Sequence, residues 1–321
     1  MSRIFVTGGS GRLGRSVVAG LAEAGHHVIS VDRDALPAGL LPAGVEQATA
    51  DLLAPGEALR LLRDASPDAV IHLAAIAVPF SAPEDVIFAT NTRLAFAVIS
   101  AATELGVPKI ITASSPTVLG YGSPAGWLPP SFPLDERTPP KPWNAYALSK
   151  LIAEQTVQMF AAAQGDRIRY AAFRPCFVIS PEEWEGAPTQ QGHTLAERLA
   201  DPALSAPALF NYVDARDVAE FLDLLLERME SIPNGETFFV GAADALATAP
   251  LAELMPRFLP GSDAISGGLT GTSPAFSIAK AQELLGWQPK RSWRTELKSH
   301  QTLNDETSAL VTAGSGTKET S

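Results

Sequence analysis

A glycine-spaced turn near the start of the chain constrains the fold more than any other sequence feature. Residues 6–14 read VTGGSGRLG, so Gly8, Gly11 and Gly14 recur at every third position between an apolar run and a helical pattern. Glycines at this spacing allow a tight turn, bring backbone N–H groups close to a pyrophosphate, and let a helix approach a strand closely. The turn therefore predicts a strand–turn–helix unit that can bind a dinucleotide.

Short β-rich runs alternate with helical patterns along most of the chain, and this alternation predicts a parallel sheet covered by helices. We expect an α/β fold, a Rossmann-type doubly wound parallel sheet with a small C-terminal substrate-binding lobe. The predicted strands are 3–7, 27–31, 68–73, 109–112, 168–173 and 237–240. The predicted helices are 13–21, 90–105, 146–163, 195–199 and 215–230.

The composition changes after residue 173, where Pro, Gly, Glu and Ala become frequent, and the last residues are small and polar. These changes predict where the parts of the chain begin and end. The expected parts are an NAD-binding Rossmann domain at 1–175 to which 212–241 returns, a substrate lobe from 176–211 and 242–305, and a disordered tail at 306–321.

Charge and cysteine content exclude several classes of function. The formal net charge of −11 disfavours a nucleic-acid surface and an anionic lipid surface. The single cysteine, Cys176, excludes an intrachain disulfide and fits a reducing compartment. The spacing of His, Cys and Asp predicts no metal site, and no window resembles a membrane span or a signal peptide. We therefore predict a cytoplasmic protein without a nucleic-acid or membrane partner.

An acidic residue at the end of the second predicted strand indicates which dinucleotide is bound. Asp32 follows Gly14 by 18 residues, and an acid at this place accepts hydrogen bonds from the adenosine ribose and repels a 2′-phosphate. This favours NAD. Arg33 and Arg12 could each pair with a 2′-phosphate, so NADP is not excluded.

A tyrosine and a lysine open one predicted helix. The spacing of four in Tyr146-Ala147-Leu148-Ser149-Lys150 puts Tyr146 and Lys150 on the same helix face. A phenol of pKa near ~10 is a poor base at neutral pH. A nearby ammonium and a cationic nicotinamide both stabilise the phenolate, so Tyr146 could exchange a proton with a substrate hydroxyl.

A serine follows the strand predicted at 109–112. Ser115 lies where open α/β sheets place their ligands, at the carboxyl end of a parallel strand. A hydroxyl at that edge could bond the reacting oxygen of a substrate as charge develops on it. The alternative is that Ser114 and Ser115 only satisfy backbone groups at the strand end.

Taken together, these motifs resemble the extended short-chain dehydrogenase/reductase family, in its NAD-dependent epimerase/dehydratase group. The resemblance covers about residues 3 to 300 and is specific because many motifs agree in order. Beside the glycine turn and the Tyr146–Lys150 pair, the matching segments are Asp51-Leu52, His72-Leu73-Ala74-Ala75, Asn91, Arg174-Pro175, 212–219 (YVDARDVA) and 284–289 (LLGWQP).

The resemblance implies the roles of many residues. The catalytic set would be Ser115, Tyr146 and Lys150. The cofactor contacts would come from Gly8, Gly11, Arg12, Leu13, Asp32, Arg33, Asp51, Leu52, Leu73, Ala74, Ala75, Asn91, Ala113, Tyr146, Lys150 and Pro175. Substrate contacts are expected from Ser115, Thr117, Tyr146, Phe177 and His193. The helices at 91–104 and 146–163 would pair with those of a second copy in a four-helix homodimer interface.

The chain also departs from the family's pattern. Sugar-nucleotide dehydratases of this group carry an acidic pair where this chain has Pro116 and Thr117, which disfavours dehydration. Nucleotide-sugar epimerases carry an asparagine at Phe177 and an arginine near Phe210, and two aromatic rings cannot neutralise a pyrophosphate. A smaller substrate without a nucleotide diphosphate is therefore expected. The segment 113–120 is partly similar to uronate dehydrogenases.

Three functions follow from these observations. The leading hypothesis is an NAD-dependent oxidoreductase that transfers hydride to or from a sugar, a sugar acid or a related polyol. The second is a sugar epimerase, possibly of nucleotide sugars, that retains its NAD. The third is a non-catalytic dinucleotide-binding protein, which the intact Ser115, Tyr146 and Lys150 disfavour.

Three further residues have expected places. His72 is interpreted as structural, and Trp143 and Trp184 are expected to flank the cleft, where they could stack on a sugar ring or only pack.

Overall fold

Seven parallel strands form the central sheet, in the order β3-β2-β1-β4-β5-β6-β9. A computed structural model describes residues 1–36, 39–42 and 44–297. The end of the predicted substrate lobe and the predicted tail at 306–321 lie outside the described residues. The strands of this sheet are β1 (Arg3–Thr7), β2 (His27–Asp32), β3 (Glu46–Thr49), β4 (Ala69–His72), β5 (Lys109–Ala113), β6 (Arg169–Pro175) and β9 (Glu236–Val240). Two short strands, β7 (Val178–Ile179) and β8 (Val213–Asp214), pair separately.

Helices cover both faces of the sheet. They are α1 (Arg12–Glu23), α2 (Glu57–Ala65), α3 (Glu84–Glu104), α4 (Ala145–Gln164), α5 (Pro181–Trp184), α6 (Leu195–Ala200), α7 (Ala215–Arg228), α8 (Leu251–Phe258), α9 (Asp263–Ser266) and α10 (Ala279–Leu285). Single 3₁₀ turns lie at Pro116–Leu119, Pro202–Leu204, Ala206–Ala208 and Met229–Ser231. The prediction of a doubly wound α/β fold is confirmed.

Each face of the sheet has its own apolar core, because side chains alternate along a strand. In β1, Ile4 and Val6 join α1 and α7 on one face, while Phe5 joins α2, α3 and α4 on the other. Val17 of α1 is fully buried on the first face, as the predicted apolar stripe of that helix requires. The strand order reverses between β1 and β4, and a crevice opens there at the carboxyl ends.

The C-terminal part of the described chain is less separate than the predicted lobe suggests. Trp287 packs edge-on against Phe221 of α7 with ring centroids 5.4 Å apart. Phe276 does the same with Phe239 of β9 at 5.3 Å. This packing joins residues after 242 to the core beneath the sheet, so the division into a domain and a lobe remains a prediction.

Several elements were missing from the sequence prediction. The edge strand β3 reads EQAT and is mostly exposed, so it lacks the apolar alternation that identifies a strand. The helix α2 buries only Ala58 and Leu62 among polar residues. Helix α3 begins at Glu84 and not at residue 90, because Pro83 and two acidic residues open it, as helix starts favour.

Helix α3 is, among the described residues, the one helix long and apolar enough to cross a membrane by length and composition. Its inner face packs on the sheet and on α4, where Ile87, Val98 and Ile99 are fully buried. Helices that pack on the core of a protein pass the same composition test, and α3 packs one of its faces on the sheet and on α4.

A buried ion pair ties α4 to β6 behind the carboxyl end of β5. Arg174 donates to both carboxylate oxygens of Glu154 at 2.7 and 2.9 Å, and Ser114 donates to the same carboxylate. Both charged side chains are almost fully buried. The Arg174 guanidinium also lies over the ring of Phe239, 5.1 Å from its centroid.

We expect Arg174→Met to destabilise the protein by about 3–5 kcal/mol, because it leaves the Glu154 carboxylate buried without its cation. Replacing both residues, as in Glu154→Leu with Arg174→Met, should restore most of that loss. Urea denaturation followed by circular dichroism measures both. The control is Arg167→Met, at an exposed pair with Asp166, which should change stability by less than about 0.5 kcal/mol. If Arg174→Met were as stable as the wild type, this expectation would be contradicted.

Candidate active site

A cleft of about 1220 Å³ runs along the carboxyl ends of the strands, at the place where the strand order reverses. One end of the cleft is bounded by the turn after β1 and the ends of β2 and β3. The other end is bounded by the segments after β4, β5 and β6 and by Gln190, Gln191, Pro207, Ala208 and Asn211. A cleft at this position is where open α/β sheets bind their ligands.

The glycine turn leaves backbone N–H groups free at the floor of the cleft. Gly8 has a φ of +73°, and a Cβ there would lie only 2.6 Å from the backbone nitrogen of Ala74. Gly11 is the N-cap of α1 and supplies no side-chain cap, so the first amides of this helix lack an intrahelical partner. Free amides at a helix N-terminus form a site for phosphate groups.

The carboxylate of Asp32 lies beside this turn and is already oriented. It accepts hydrogen bonds from the backbone N–H of Ser10 at 3.1 Å and of Arg33 at 2.7 Å. Arg33 is exposed at the rim of the cleft. The Arg12 guanidinium, in contrast, pairs with the buried carboxylate of Glu183 in α5. Of the two arginines that could serve a 2′-phosphate, only Arg33 is therefore without an acidic partner in the described structure.

The three residues predicted for catalysis converge at the middle of the cleft. Tyr146 and Lys150 lie one turn apart on α4, and the Lys150 ammonium is 5.8 Å from the Tyr146 ring centroid. The Ser115 hydroxyl lies beside the Tyr146 phenol, where it acts to lower the pKa of that phenol. Lys150 donates to the backbone carbonyl of Ala113 at 3.0 Å, which fixes it against the end of β5. All three line the cleft.

Two adjacent serines at the end of β5 point to different environments. Ser114 bonds to Glu154 behind the sheet. Ser115 faces the cleft and caps the 3₁₀ turn at Pro116–Leu119, since its oxygen accepts from the Thr117 backbone N–H at 3.3 Å and the Thr117 hydroxyl at 2.9 Å. Both serines line the cleft, but the Ser114 hydroxyl is used by Glu154 and only the Ser115 hydroxyl lies beside Tyr146.

Burial shifts the pKa of both titratable groups at this centre. It raises the pKa of Tyr146 to about 12, and the neighbouring Ser115 hydroxyl acts in the opposite direction. Burial also lowers the pKa of Lys150 to about 8. The sequence predicts that a nearby ammonium and a cationic nicotinamide stabilise the phenolate. In the protein alone, Lys150 does not lower the pKa of Tyr146 below its ordinary value. Without a further cation in the cleft, Tyr146 is a protonated phenol that can donate its proton.

Local sequence explains why α4 presents its tyrosine to the cleft. Asn144 is the N-cap of α4, and its side chain accepts from the Ala147 backbone N–H at 2.8 Å. Ser149 lies on the buried face and donates to the Tyr146 carbonyl at 2.7 Å. These bonds fix the first turn of α4 and therefore the direction of Tyr146.

Nearly all of the residues predicted for the site line this one cleft. They are Gly8, Gly11, Arg12, Leu13, Asp32, Arg33, Asp51, Leu52, Leu73, Ala74, Ala75, Ala113, Ser115, Thr117, Tyr146, Lys150, Pro175 and Phe177. Cys176 also lines it, and burial raises the pKa of its thiol.

Two of the predicted residues lie elsewhere. Asn91 does not line the cleft, because its side-chain amide bonds both backbone groups of Ile76 and so supports the segment after β4 from behind. His193 is also outside the cleft lining, and its carbonyl accepts from Thr189 in a local turn. The expectation that Trp184 flanks the cleft is wrong, because this ring is buried and donates to Asp214 at 2.6 Å.

Other cleft residues were not predicted from sequence. Gln190 and Gln191 line the substrate end, three and two residues before His193, and Asn211 lines it between β7 and β8. Phe80 and Val86 lie at the outer edge beside α3. These residues follow loops or open a helix and carry no motif, so only the fold reveals their place.

The chain belongs to the NAD-dependent epimerase/dehydratase family, whose model matches residues 4–241. The matched region contains the parallel sheet except for Arg3, the first residue of β1, together with the glycine turn and the three residues at the centre of the cleft.

Individual proteins of known name match only part of this chain or match it at low sequence identity. The chain is 33% identical to a UDP-glucose 4-epimerase of Azospirillum brasilense over 51% of its own length and 46% of the relative's. It is 35% identical to a 2′-dehydrokanamycin reductase of Streptomyces kanamyceticus over 49% of its own length and 38% of the relative's. The matched regions thus span less than half of either relative. Among solved structures, a UDP-glucose 4-epimerase of Thermotoga maritima superposes with a TM-score of 0.70 at 22% identity, over 95% of this chain and 99% of that one.

His72, interpreted as structural, is buried at the end of β4, where its Nδ1 lies 2.8 Å from the Thr7 hydroxyl. Burial, with a smaller contribution from the Lys150 charge, lowers the pKa of His72 to about 3. The unfolded chain binds a proton here below a pH of about 6.5, whereas the folded protein does not. Stability is therefore lost as the pH falls through this window.

We expect this one group to reduce the free energy of unfolding by about 2 kcal/mol between roughly pH 7 and pH 5. In His72→Asn the free energy of unfolding should fall by about 2 kcal/mol less than in the wild type between these two pH values, which makes its slope against pH smaller, whatever the absolute stability of the variant. Urea denaturation at each pH gives the slope, and His193→Asn, at a histidine that is not fully buried, is the control. An unchanged slope in His72→Asn would contradict the assignment.

Proposed function

We propose that the protein is an NAD-dependent oxidoreductase that moves a hydride between the nicotinamide and a hydroxyl or carbonyl carbon of a small substrate. The observation that carries this proposal is the convergence of Ser115, Tyr146 and Lys150 in one cleft with the glycine turn. The same arrangement disfavours a non-catalytic dinucleotide-binding protein, since such a protein needs no phenol next to a serine hydroxyl.

The residues at the first end of the cleft fit a dinucleotide. The amides at the start of α1 would hold the pyrophosphate, and glycine at position 8 lets the turn lie directly against the backbone of Leu73 and Ala74. Asp32 would accept hydrogen bonds from the adenosine ribose, and Asp51 with Leu52 would lie beside the adenine. When bound, NAD supplies or accepts the hydride.

The remaining chemistry belongs to this chain. Tyr146 would transfer a proton to or from the reacting oxygen, and Ser115 would hold that oxygen by a hydrogen bond. Lys150 would bond the nicotinamide ribose and add positive charge beside the phenol. Since the phenol is protonated in the protein alone, the site is ready to protonate a carbonyl oxygen as that carbon is reduced.

We also propose that the substrate carries no nucleotide diphosphate. Phe177 lines the cleft at the position where nucleotide-sugar epimerases carry an asparagine, and Phe210 is buried against Phe258 with centroids 5.9 Å apart. Neither offers a cation to a pyrophosphate, and removing an unpaired anion from water is costly. A sugar or polyol without this group satisfies the described lining.

The second candidate is an epimerase that retains its NAD and returns the hydride to the opposite face of the same carbon. The relatives favour it: of eight curated relatives, six are named UDP-glucose 4-epimerase and two are named reductases. Incubation with NAD and simple sugars or uronates, followed by NADH absorbance, separates the candidates. Net NADH formation supports the oxidoreductase. Tightly co-purifying NAD with interconversion of UDP-glucose and UDP-galactose supports the epimerase.

Tyr146→Phe should lower kcat by at least about a hundredfold under either candidate, because it removes the group that exchanges the proton. Its Kd for NAD, measured by calorimetry, should stay within about threefold of the wild type, because the glycine turn is untouched. Lys141→Met, at an exposed residue that precedes α4, is the control for turnover. Turnover by Tyr146→Phe equal to that of the wild type would remove Tyr146 from the mechanism.

The homodimer and the cytoplasmic location remain predictions. Exposed apolar side chains lie on α3 and α4, as a four-helix interface needs, among them Phe96 and Met159. These residues belong to the two helices that pack on each other at one face of the sheet.

A further inference from the structure

The outer edge of the cleft on its substrate side is aromatic and exposed. Phe80 is 59% exposed and Trp143 is 36% exposed, and their ring centroids are 5.6 Å apart. Both line the catalytic cleft, together with Pro79 and Val86. We call these four residues the aromatic rim. Large apolar side chains that share a cleft and remain open to water mark a binding surface more often than scattered ones do.

The rim is held in place by the same segments that build the catalytic centre. Trp143 directly precedes Asn144, the N-cap of α4, so it lies three residues before the catalytic tyrosine. Its indole N–H donates to the carbonyl of Tyr121 at 3.1 Å, which fixes the ring. Phe80 has a φ of +62°, a backbone conformation that bulky residues rarely adopt. Such residues cluster at ligand sites.

Charge is distributed unevenly along the cleft. Within the described chain, every charged side chain that lines it belongs to the dinucleotide end or to the catalytic set: Arg12, Asp32, Arg33, Asp34, Asp51 and Lys150. The substrate end beyond Ser115 is lined by apolar groups, hydroxyls and amides. A substrate with a carboxylate or phosphate would therefore find no cation in this lining.

One buried cation behind that end, Arg198, already has polar partners. Arg198 of α6 lies under the ring of Phe177, 4.6 Å from its centroid. Its guanidinium donates to the Leu204 carbonyl at 2.8 Å, to the Thr189 hydroxyl at 3.3 Å and to the Gln191 amide oxygen. Phe177 separates this charge from the cleft, so Arg198 stabilises the loop around it.

We propose that the aromatic rim is a substrate subsite, which binds an uncharged, ring-sized apolar group of the molecule whose hydroxyl or carbonyl reacts at Tyr146. This inference rests on the proposed hydride transfer and defines its substrate class. A sugar acid does not fit this class. An uncharged hydroxyketone, or a sugar with an apolar substituent, does.

Three ketones separate the contributions of ring and charge. Acetylbenzoyl and diacetyl share a vicinal diketone and differ by a phenyl ring in place of a methyl group. Phenylglyoxylate keeps the ring and replaces the acetyl group of acetylbenzoyl with a carboxylate. In each reduction, NADH gives its hydride to the carbonyl carbon, Tyr146 gives its proton to the oxygen, and the products are the alcohol and NAD⁺.

Binding is measured first, by calorimetry on Tyr146→Phe loaded with NADH, because this variant should reduce the ketones at least about a hundredfold more slowly than the wild type. Acetylbenzoyl should bind at least about tenfold more tightly than either other ketone. Adding Phe80→Asn should reduce the ratio of the affinity for acetylbenzoyl to the affinity for diacetyl below about threefold. Asparagine tolerates the positive φ and removes the ring. Leu284→Asn, an exposed leucine on α10, is the matched control and should leave the ratio unchanged. In wild-type protein the kcat/KM values should follow the same order.

Equal binding of acetylbenzoyl and diacetyl, or a ratio unchanged by Phe80→Asn, would overturn the subsite while leaving hydride transfer intact. Failure of the protein to bind NADH would overturn the proposed function and the subsite with it. Sedimentation tests a second copy as the occupant. If Phe80→Asn dissociates a dimer that the wild type forms, the rim is an interface and the subsite is overturned.

Discussion

The close approach of two backbones organises the whole cleft. The turn after β1 lies against the segment after β4, and at Gly8 there is no room for a Cβ beside Ala74. β1 and β4 are neighbours in the sheet, and the chain leaves them in opposite directions, so a crevice opens between their connections. His72 and Thr7 bond each other at the ends of these two strands and hold the crevice at a fixed width. The site depends on that width, since the amides of α1 and the hydroxyls after β5 face the same space.

The two ends of the cleft are lined by different chemical groups. The dinucleotide end uses free amides and carboxylates, which suit phosphates and ribose hydroxyls. The other end uses rings, hydroxyls and amides, which suit a substrate with little charge. Ionic groups near this end are kept behind the lining: Glu154 and Arg174 pair beneath β5 and β6, and Arg198 lies under Phe177. The lining of the cleft therefore changes from charged to uncharged along its length, and this change limits which chemical groups each end can bind.

Sequence reasoning recovered the parts of the molecule that follow from local pattern. The glycine spacing, the strands with apolar runs and the Tyr146–Lys150 spacing each have a direct structural cause, and the fold class was confirmed. Sequence reasoning failed for residues whose surroundings are set by packing between distant parts of the chain. Nothing local distinguishes Ser114 from Ser115, or shows that Asn91 supports the Ile76 backbone from behind. The polar edge strand β3 and the cleft residues 190–191 lie in segments without periodicity, and their places arise only from the assembled sheet.

The cap at the end of β5 has a consequence for the direction of proton sharing. The oxygen of Ser115 has two lone pairs, and the backbone amide and the hydroxyl of Thr117 both point at it. A hydroxyl whose acceptor capacity is used has only its own hydrogen left to offer. In the proposed mechanism Ser115 would therefore act only as a donor, toward the phenol or toward a substrate oxygen, and it would favour whichever of them carries the greater negative charge. A helix cap, a feature usually counted as structural, would then set the direction of the hydrogen bond to the reacting oxygen.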